Sequence, residues 1–290
     1  MTARRVVVVH AHPDDETLWT GGMIARYAAS GVAVVVVTCT LGEQGEVLID
    51  ELRGLAADRA DQLGGYRLAE LRAACAALST IDQRFLGGIG RWRDSGMVSE
   101  PGARASAPAD LHPRAFAAGM LDEQVDALVE VLDQVRPQVV VSYGPDGGYG
   151  HPDHVRAHQV TMAAAAQIPE VARVFWAVRP VSAVAQGITA LRAMPGLPFP
   201  LPGSHGLPGV SDAEVTTALD VSAHRSAMLA AMRAHATQIT VWTAGPHAAF
   251  ALFDGVARPV FDIEHFTLAR GAAEGAHDDL FGGPSQGMSQ

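Results

Sequence analysis

Residues 6–16 read Val6-Val7-Val8-Val9-His10-Ala11-His12-Pro13-Asp14-Asp15-Glu16, and the predicted architecture follows from them. Four consecutive valines are typical of a strand buried inside a parallel sheet. The strand must end before Pro13, because proline has no backbone N–H for the ladder and fixes its own φ. Polar groups at the carboxyl end of a buried strand mark the ligand sites of open α/β sheets. His12 and Asp15 can converge there on one cation and leave Asp14 free beside it.

A second polar cluster follows another valine-rich strand. Residues 139–142 predict a buried strand, and a Gly-rich loop then leads to His151-Pro152-Asp153-His154 and a helix over 155–167. Near the N-terminus, a helix over 18–30 and a strand over 32–38 complete a βαβ unit, which requires parallel strands. Parallel strands end at one edge of a sheet. We therefore expect the two clusters to meet at that edge.

The rest of the pattern predicts an α/β fold, a Rossmann-like, mostly parallel sheet flanked by helices with a smaller C-terminal subdomain. We expect helices over 58–78 (interrupted at Gly64-Gly65), from Leu121 to Pro137 and over 221–235, and strands over 85–86, 174–178, 215–219 and 261–268. Irregular connections are expected over 97–113 and 185–212. We divide the chain into a catalytic domain over 1–180, a subdomain over 181–270 that completes the fold, and a disordered tail over 271–290.

Composition excludes several classes of protein. The 290 residues are 48% apolar, as in ordinary globular enzymes, and the net charge of −10 argues against a nucleic-acid partner. The chain has no lysine, which excludes lysine nucleophiles and Schiff bases. Cys39 and Cys75 lack the spacing of a zinc knuckle. Without a signal peptide or a membrane-length apolar run, we expect a cytoplasmic protein with no membrane contact. No pattern indicates the oligomeric state.

The two clusters together supply the donor set of a catalytic metal site. His12, Asp15 and His154 would hold the ion through two imidazoles and a carboxylate and leave a fourth position open, which is typical of catalytic zinc. Such a site lowers the pKa of bound water to about 7. Asp14 is then placed to accept a proton from that water. The same donors accommodate iron(II) or cobalt as well.

The second cluster also offers groups that would assist hydrolysis of an amide or an ester. His151 could stabilise negative charge that develops opposite Asp14, and Asp153 could orient the imidazole of His151. Taken alone, His151-Pro152-Asp153-His154 is equally typical of a solvated loop with an Asx turn at Asp153. The position of both clusters after valine-rich strands favours the metal site.

At this point the residues carry a resemblance to a known family. His12-Pro13-Asp14-Asp15-Glu16 and Gly150-His151-Pro152-Asp153-His154 are similar to motifs of the PIG-L/LmbE-type family of zinc-dependent N-acetylglucosamine deacetylases. Further similar segments lie at 38–43, 61–67, 90–97, 147–155 and 234–238. The resemblance implies a Rossmann-like fold, one zinc ion per subunit and hydrolysis of an N-acetyl group. Within the family the chain is most similar to the members that deacetylate a small aminosugar–inositol conjugate in mycothiol biosynthesis.

The resemblance also implies a role for each matching residue. It implies metal ligands at His12, Asp15 and His154, a general base at Asp14, an assisting histidine at His151, a carbonyl-polarising tyrosine at Tyr149, and substrate contacts at Arg67, Asp94 and Glu46. Without the resemblance, a surface ion pair is the favoured interpretation of Arg67 and Asp94.

Other functions remain open from the sequence. The related mycothiol-conjugate amidases carry lysine where this chain has Trp19, which disfavours that reaction, but the deacetylases carry a small polar residue there. A deacetylase of another N-acetylglucosamine derivative is a further alternative. A nucleotide-binding module is disfavoured, because the first βα turn has carboxylates where G-x-G-x-x-G is required. A metal-binding protein without catalysis would leave Asp14 and His151 without a task.

Overall fold

The computed structural model describes residues 3–80, 82–98, 104–203 and 206–282. The strands are β1 Arg5–His10, β2 Ala33–Thr38, β3 Asp82–Phe85, β4 Val139–Tyr143, β5 Arg173–Val178, β6 Thr217–Asp220, β7 Thr240–Ala244, β8 His247–Ala251, β9 Arg258–Pro259 and β10 Ile263–Arg270. The helices are α1 Asp15–Ala29, α2 Leu63–Ala77, α3 Leu121–Val135, α4 Pro152–Ala165, α5 Val181–Arg192 and α6 Arg225–Ala234. Short 3₁₀ turns lie at Asp50–Leu55, Phe116–Ala118, Asp212–Glu214 and Ser222–His224.

A seven-stranded sheet in the order β3-β2-β1-β4-β5-β10-β6 forms the centre of the protein. Its first five strands are parallel, and β10 pairs antiparallel with both β5 and β6. The predicted α/β class and its mostly parallel sheet are confirmed. A separate antiparallel sheet, β7-β8-β9, was not predicted.

The valine run of β1 fills both faces of the sheet because successive side chains of a strand alternate in direction. Val6 and Val8 pack with α1, α2 and α6 in one apolar cluster, whereas Val7 and Val9 pack with α3 and α4 in another. All four side chains are fully buried. Among the described residues, helices therefore cover both faces of the sheet, as is typical of parallel sheets.

Two predicted elements are corrected by the structure. Gly64-Gly65 does not interrupt a helix, since α2 begins at Leu63 and the glycines lie in its first turn. A Cβ on Gly64 would lie 2.8 Å from the side chain of Glu43, so this position lets the loop after β2 approach the helix. The prediction of an irregular connection over 185–212 is wrong for residues up to 192, which belong to α5.

The C-terminal region is tied to the main sheet. Strands β6 and β10 extend that sheet. The division into a catalytic domain over 1–180 and a subdomain over 181–270 stays a prediction. A disordered tail is wrong for residues 271–282: Leu280 is fully buried, and its backbone N–H donates to the Tyr27 hydroxyl at 2.8 Å. Residues 283–290, and residues 99–103 of the expected loop over 97–113, lie outside the described residues.

Candidate active site

The two polar clusters meet at the carboxyl edge of the sheet. Strands β1 and β4 are parallel neighbours, with Val7 opposite Val140, so the loops that follow them emerge side by side. The rings of His12 and His154 lie 5.3 Å apart between centroids. Helix α4 begins at Pro152, earlier than predicted, which places His154 in its first turn.

Three atoms with free electron pairs converge between these loops. Oδ2 of Asp15 lies 3.2 Å from Nδ1 of His12 and 3.3 Å from Nε2 of His154. Nδ1 of His154 donates to the Gly147 carbonyl at 3.1 Å, which leaves Nε2 without a proton in the neutral ring. This buried Nε2 has no hydrogen-bond partner among the described residues. A cation between these atoms would bind all three electron pairs, so the arrangement fits a metal ion.

The outer nitrogen of His12 faces two carboxylates. Nε2 lies 3.2 Å from Oδ2 of Asp153 and 3.4 Å from Oδ1 of Asp94, so it carries the proton and leaves Nδ1 free to bind a cation. Burial alone lowers the pKa of His12, but Asp94, Asp15 and Asp153 outweigh it and raise this pKa well above its usual value. The carboxylates around His12 therefore stabilise positive charge at this ring, whether it is a second proton on Nδ1 or a cation bound there.

Two other groups of possible ligands lie close together around His12. The ring nitrogens of His12, His151 and His154 lie within 4.8 Å of one another, as do the ligand atoms of His12, Asp94 and Asp153. The hydrogen bonds argue against the first group, because Nδ1 of His151 already accepts from the Asp153 N–H. They argue against the second group, because Asp94 and Asp153 face Nε2 of His12, which carries a proton. In either case, the described residues include a His/Asp cluster able to hold a metal.

Asp153 does not orient His151 as predicted. Its carboxylate accepts from the backbone N–H of Ser95 at 2.9 Å and from the Ser95 hydroxyl at 2.5 Å, and it lies beside His12. The contact with His151 comes from the Asp153 backbone N–H, which donates to Nδ1 at 3.1 Å. The difference arises because α4 begins at Pro152, and its first turn directs this side chain toward the loop that carries Asp94.

Asp14 lies beside the cluster in an unusual backbone conformation. Its φ is 122°, a value that residues other than glycine rarely adopt. Such backbone strain costs on the order of 1–3 kcal/mol. Oδ2 of Asp14 accepts from Nη2 of Arg67 at 3.1 Å. Burial raises the pKa of Asp14 to about 6, against the opposing charge of Arg67. The carboxylate is therefore a base of useful strength near neutral pH.

His151 and Tyr149 also lie beside the histidines of this cluster. The His151 ring is 4.5 Å from that of His12, and the Tyr149 ring is 5.0 Å from that of His154. Burial, with the charges of His12 and His154, lowers the pKa of His151 to about 2, so its imidazole is neutral. Since Nδ1 accepts a hydrogen bond, Nε2 carries the proton and can donate it. Burial and Asp15 raise the pKa of Tyr149, whose hydroxyl stays a donor.

The three predicted substrate contacts lie in different surroundings. Arg67 is buried and bonds to the backbone carbonyls of Gly42 and Pro13 as well as to Asp14, so it is not a surface ion pair with Asp94. Asp94 is also buried and accepts from the Gly96 N–H at 2.8 Å. Glu46 is exposed at the rim.

Trp19 forms part of the wall behind the Gly-rich loop. A Cβ on Gly148 would lie 2.6 Å from its ring, and the Arg179 guanidinium lies 4.6 Å from the ring centroid. The indole also lines a cavity of about 170 Å³ that extends to Trp176 and to Pro208.

Glu16 and His235 form a further buried pair that was not among the predicted site residues. Nε2 of His235 donates to Oε1 of Glu16 at 2.7 Å, and both side chains are completely buried. Burial disfavours the charged form of both residues, but the opposite charge of the partner outweighs burial. The pKa of Glu16 is therefore lowered, and the pKa of His235 is raised. Both residues lie in segments that carried the family resemblance, which was the available signal.

Comparison with known proteins places this site in a family. A family model described as PIG-L, GlcNAc-PI de-N-acetylase, matches residues 7–165, more than half of the chain. The chain belongs to the PIG-L deacetylase family. The recognition made from the sequence motifs is thus confirmed.

Curated relatives of the PIG-L family match nearly the whole chain. A 1D-myo-inositol 2-acetamido-2-deoxy-alpha-D-glucopyranoside deacetylase 1 from Saccharopolyspora erythraea is 62% identical over 284 residues, covering 96% of this chain and 94% of the relative. A deacetylase of the same printed substrate from Mycobacteroides abscessus is 50% identical over 287 residues, covering 98% and 99%.

Solved structures show the same fold at low identity. A deacetylase–teicoplanin complex from teicoplanin biosynthesis has a TM-score of 0.55 at 20% identity and covers 91% of this chain and 96% of its own. A 4-carboxy-2-hydroxymuconate hydratase from Pseudomonas putida has a TM-score of 0.53 at 18% identity, covering 93% and 97%. Because a hydratase shares it, the fold alone does not identify the reaction. None of the helices in the described part of the chain is long and apolar enough to cross a membrane.

Proposed function

We propose that this protein hydrolyses the N-acetyl group of 1D-myo-inositol 2-acetamido-2-deoxy-α-D-glucopyranoside and releases acetate and the free amine, a step of mycothiol biosynthesis. The relatives with this printed activity are up to 62% identical over nearly the full chain. The structural observation that carries the proposal is the convergence of His12, Asp15 and His154 beside a spare carboxylate, Asp14.

We propose zinc as the resident metal, one ion per subunit, with His12, Asp15 and His154 as its ligands. Two observations support this choice: Nε2 of His154 has no hydrogen-bond partner among the described residues, and two imidazoles with one carboxylate form a donor set typical of catalytic zinc. When bound, zinc would polarise the acetyl carbonyl and make water a better nucleophile at neutral pH. Asp153 would hold His12 in the tautomer that presents Nδ1 to the metal.

The residues around this position have complementary tasks in amide hydrolysis. Asp14 accepts a proton from the attacking water while the oxygen of that water bonds to the carbonyl carbon of the acetyl group. The neutral His151 donates from Nε2 to the developing oxyanion, and the Tyr149 hydroxyl donates from the same side. The C–N bond then breaks, and the proton held by Asp14 passes to the leaving amine nitrogen. A pKa of about 6 leaves Asp14 ionised and able to accept a proton at neutral pH, and the lowered pKa of His151 keeps its imidazole neutral.

The principal test replaces the proposed base without removing a metal ligand. Asp14→Asn keeps the size of the side chain, so metal content should stay at the wild-type level while kcat falls about 10²–10⁴-fold. Acetate release and metal content of the same preparations give both readings. His154→Ala serves as the comparison and should lose metal and activity together. Full activity of Asp14→Asn would remove Asp14 as the base.

The choice of substrate needs its own measurement. Turnover of the aminosugar–inositol conjugate and of a mycothiol S-conjugate should be compared side by side with the same enzyme. We expect acetate release from the first to exceed cleavage of the second, because Trp19 replaces the lysine of the amidases. The reverse order would make the amidase reaction the better assignment. The cytoplasmic location stays a prediction from the sequence.

A further inference from the structure

Glu16 and His235 are buried charged groups that lie outside the proposed catalytic set. Oε1 of Glu16 accepts from Nε2 of His235 at 2.7 Å and from the Thr17 hydroxyl at 2.5 Å. Within the described residues, Nδ1 of His235 is buried without a hydrogen-bond partner, so the imidazole is held through Nε2 alone. The two residues are 219 positions apart and join α1 to the end of α6.

The other oxygen of Glu16 reaches Asp14. Oε2 accepts from the backbone N–H of Asp14 at 2.9 Å, and this is the residue whose φ is 122°. On the opposite side, Arg67 donates to the Pro13 carbonyl and to the Asp14 carboxylate. The strained residue is therefore held at its amide by Glu16 and at its side chain by Arg67.

Stability alone does not account for this pair. A buried ion pair gives little net stability compared with apolar side chains of similar volume, and the unpartnered Nδ1 adds a further penalty. The segment after α6 is already attached to α2 by another buried carboxylate: Glu70 accepts from the Thr237 N–H at 2.9 Å and from its hydroxyl at 2.6 Å. Glu16 differs from Glu70 because it also bonds to the backbone of Asp14.

We propose that Glu16 and His235 are positioning residues that fix the backbone of Asp14, so that its carboxylate points at the attacking water. His235 holds the Glu16 carboxylate in place, and Glu16 holds the Asp14 amide in its strained conformation. The inference rests on the proposed function, since it assigns these residues a task through the proposed base.

The first test compares two buried carboxylates. Glu16→Ala should lower kcat about 100-fold, as expected for a misplaced catalytic group, with KM within about threefold and metal content unchanged. The matched control is Glu70→Ala, which removes a buried carboxylate with two bonds to the same segment and should leave kcat near the wild-type value. An unchanged kcat in Glu16→Ala overturns the proposal, and so does a loss of kcat that follows a loss of metal.

A second pair of variants covers the case in which Glu16→Ala does not fold. His235→Gln keeps an N–H donor for Glu16 and should retain most of kcat, whereas His235→Leu removes the donor and should lose about as much as Glu16→Ala. Equal kcat in the two His235 variants overturns the proposal.

A double-mutant cycle separates action through Asp14 from independent effects. In the Asp14→Asn background, Glu16→Ala should change the residual kcat less than about threefold, because the group it positions is already absent. A full 100-fold further loss contradicts the proposal. If the wild-type enzyme releases no acetate from the inositol conjugate, the proposed function fails. The inference is then decided by a crystal structure of Glu16→Ala, in which an unchanged Asp14 φ and carboxylate position overturn it.

Discussion

Glu264 is a buried carboxyl group on β10 whose ionisation should oppose folding. Its two oxygens accept from the backbone N–H groups of Gly22 and Met23, inside α1, at 2.7 and 2.8 Å. Burial outweighs these bonds and the nearby charge of Arg179, and raises the pKa of Glu264 from 4.5 to about 7. In the unfolded chain the group is exposed and has its ordinary pKa. The folded protein therefore holds this proton more tightly than the unfolded chain does.

The sign and size of the effect follow from that difference. Where the native state binds the extra proton, raising the pH lowers the free energy of unfolding. With pKa values of 4.5 and about 7 for the two states, this loss begins near pH 4.5 and levels off above pH 7. Between pH 5 and pH 8 it amounts to about 2.5 kcal/mol.

The assay is urea unfolding of the wild type and of Glu264→Gln at several pH values. The amide has only one carbonyl oxygen for two N–H donors, so the variant should be less stable than the wild type, and the lost hydrogen bond contributes about 1–3 kcal/mol to this deficit at every pH. Since the amide does not titrate, this deficit should shrink by about 2.5 kcal/mol from pH 5 to pH 8. Glu51→Gln, at an exposed position, controls for the loss of one negative charge. Parallel curves for wild type and Glu264→Gln would show that Glu264 is ionised throughout and refute the reasoning.

Three further outcomes are expected. Asp153→Asn should weaken metal affinity about 10–100-fold in chelator competition, because it disturbs the bond to His12; unchanged affinity would remove Asp153 from that task. Gly148→Ala should lower kcat and change KM less, because the φ of residue 148 is +79° and the new Cβ would lie 2.6 Å from Trp19. Normal activity of this variant in steady-state kinetics would contradict the prediction. Leu280→Ala should lower the free energy of unfolding by about 2–5 kcal/mol in urea, whereas a loss below 1 kcal/mol would mean that the C-terminal segment is not part of the core.

The sequence predicted those elements whose pattern is local. The valine runs of β1, β2 and β4 identified the buried strands, and the polar residues after them identified the edge of the sheet at which the site forms. The spacing of His12 and Asp15 sufficed to propose convergence because both lie on one turn. These inferences depended on strand direction and on nothing distant along the chain.

The elements that were missed depend on distant contacts. Helix α5 was missed because it contains Gly187 and is followed by several prolines, a composition typical of a loop. Gly187 lies against Pro259, where a Cβ would be only 2.6 Å away. The segment after 270 is Gly-rich, yet Arg173 donates to its backbone carbonyls at Leu280 and Glu274 and holds it in place. Which carboxylate faces which imidazole was equally out of reach, because the direction of Asp153 depends on where α4 begins.

The position of β10 has a consequence for how the protein is made. Strand β5 ends at Val178, but the partner of its outer edge begins only at Ile263. While the ribosome adds the residues between them, that edge offers unpaired backbone groups and apolar surface to other nascent chains. The same late strand brings Glu264 to the amides of α1, so the first helix acquires these two hydrogen bonds only after residue 264 has been synthesised. Chaperones that shield this open edge of the sheet until β10 is made should therefore raise the yield.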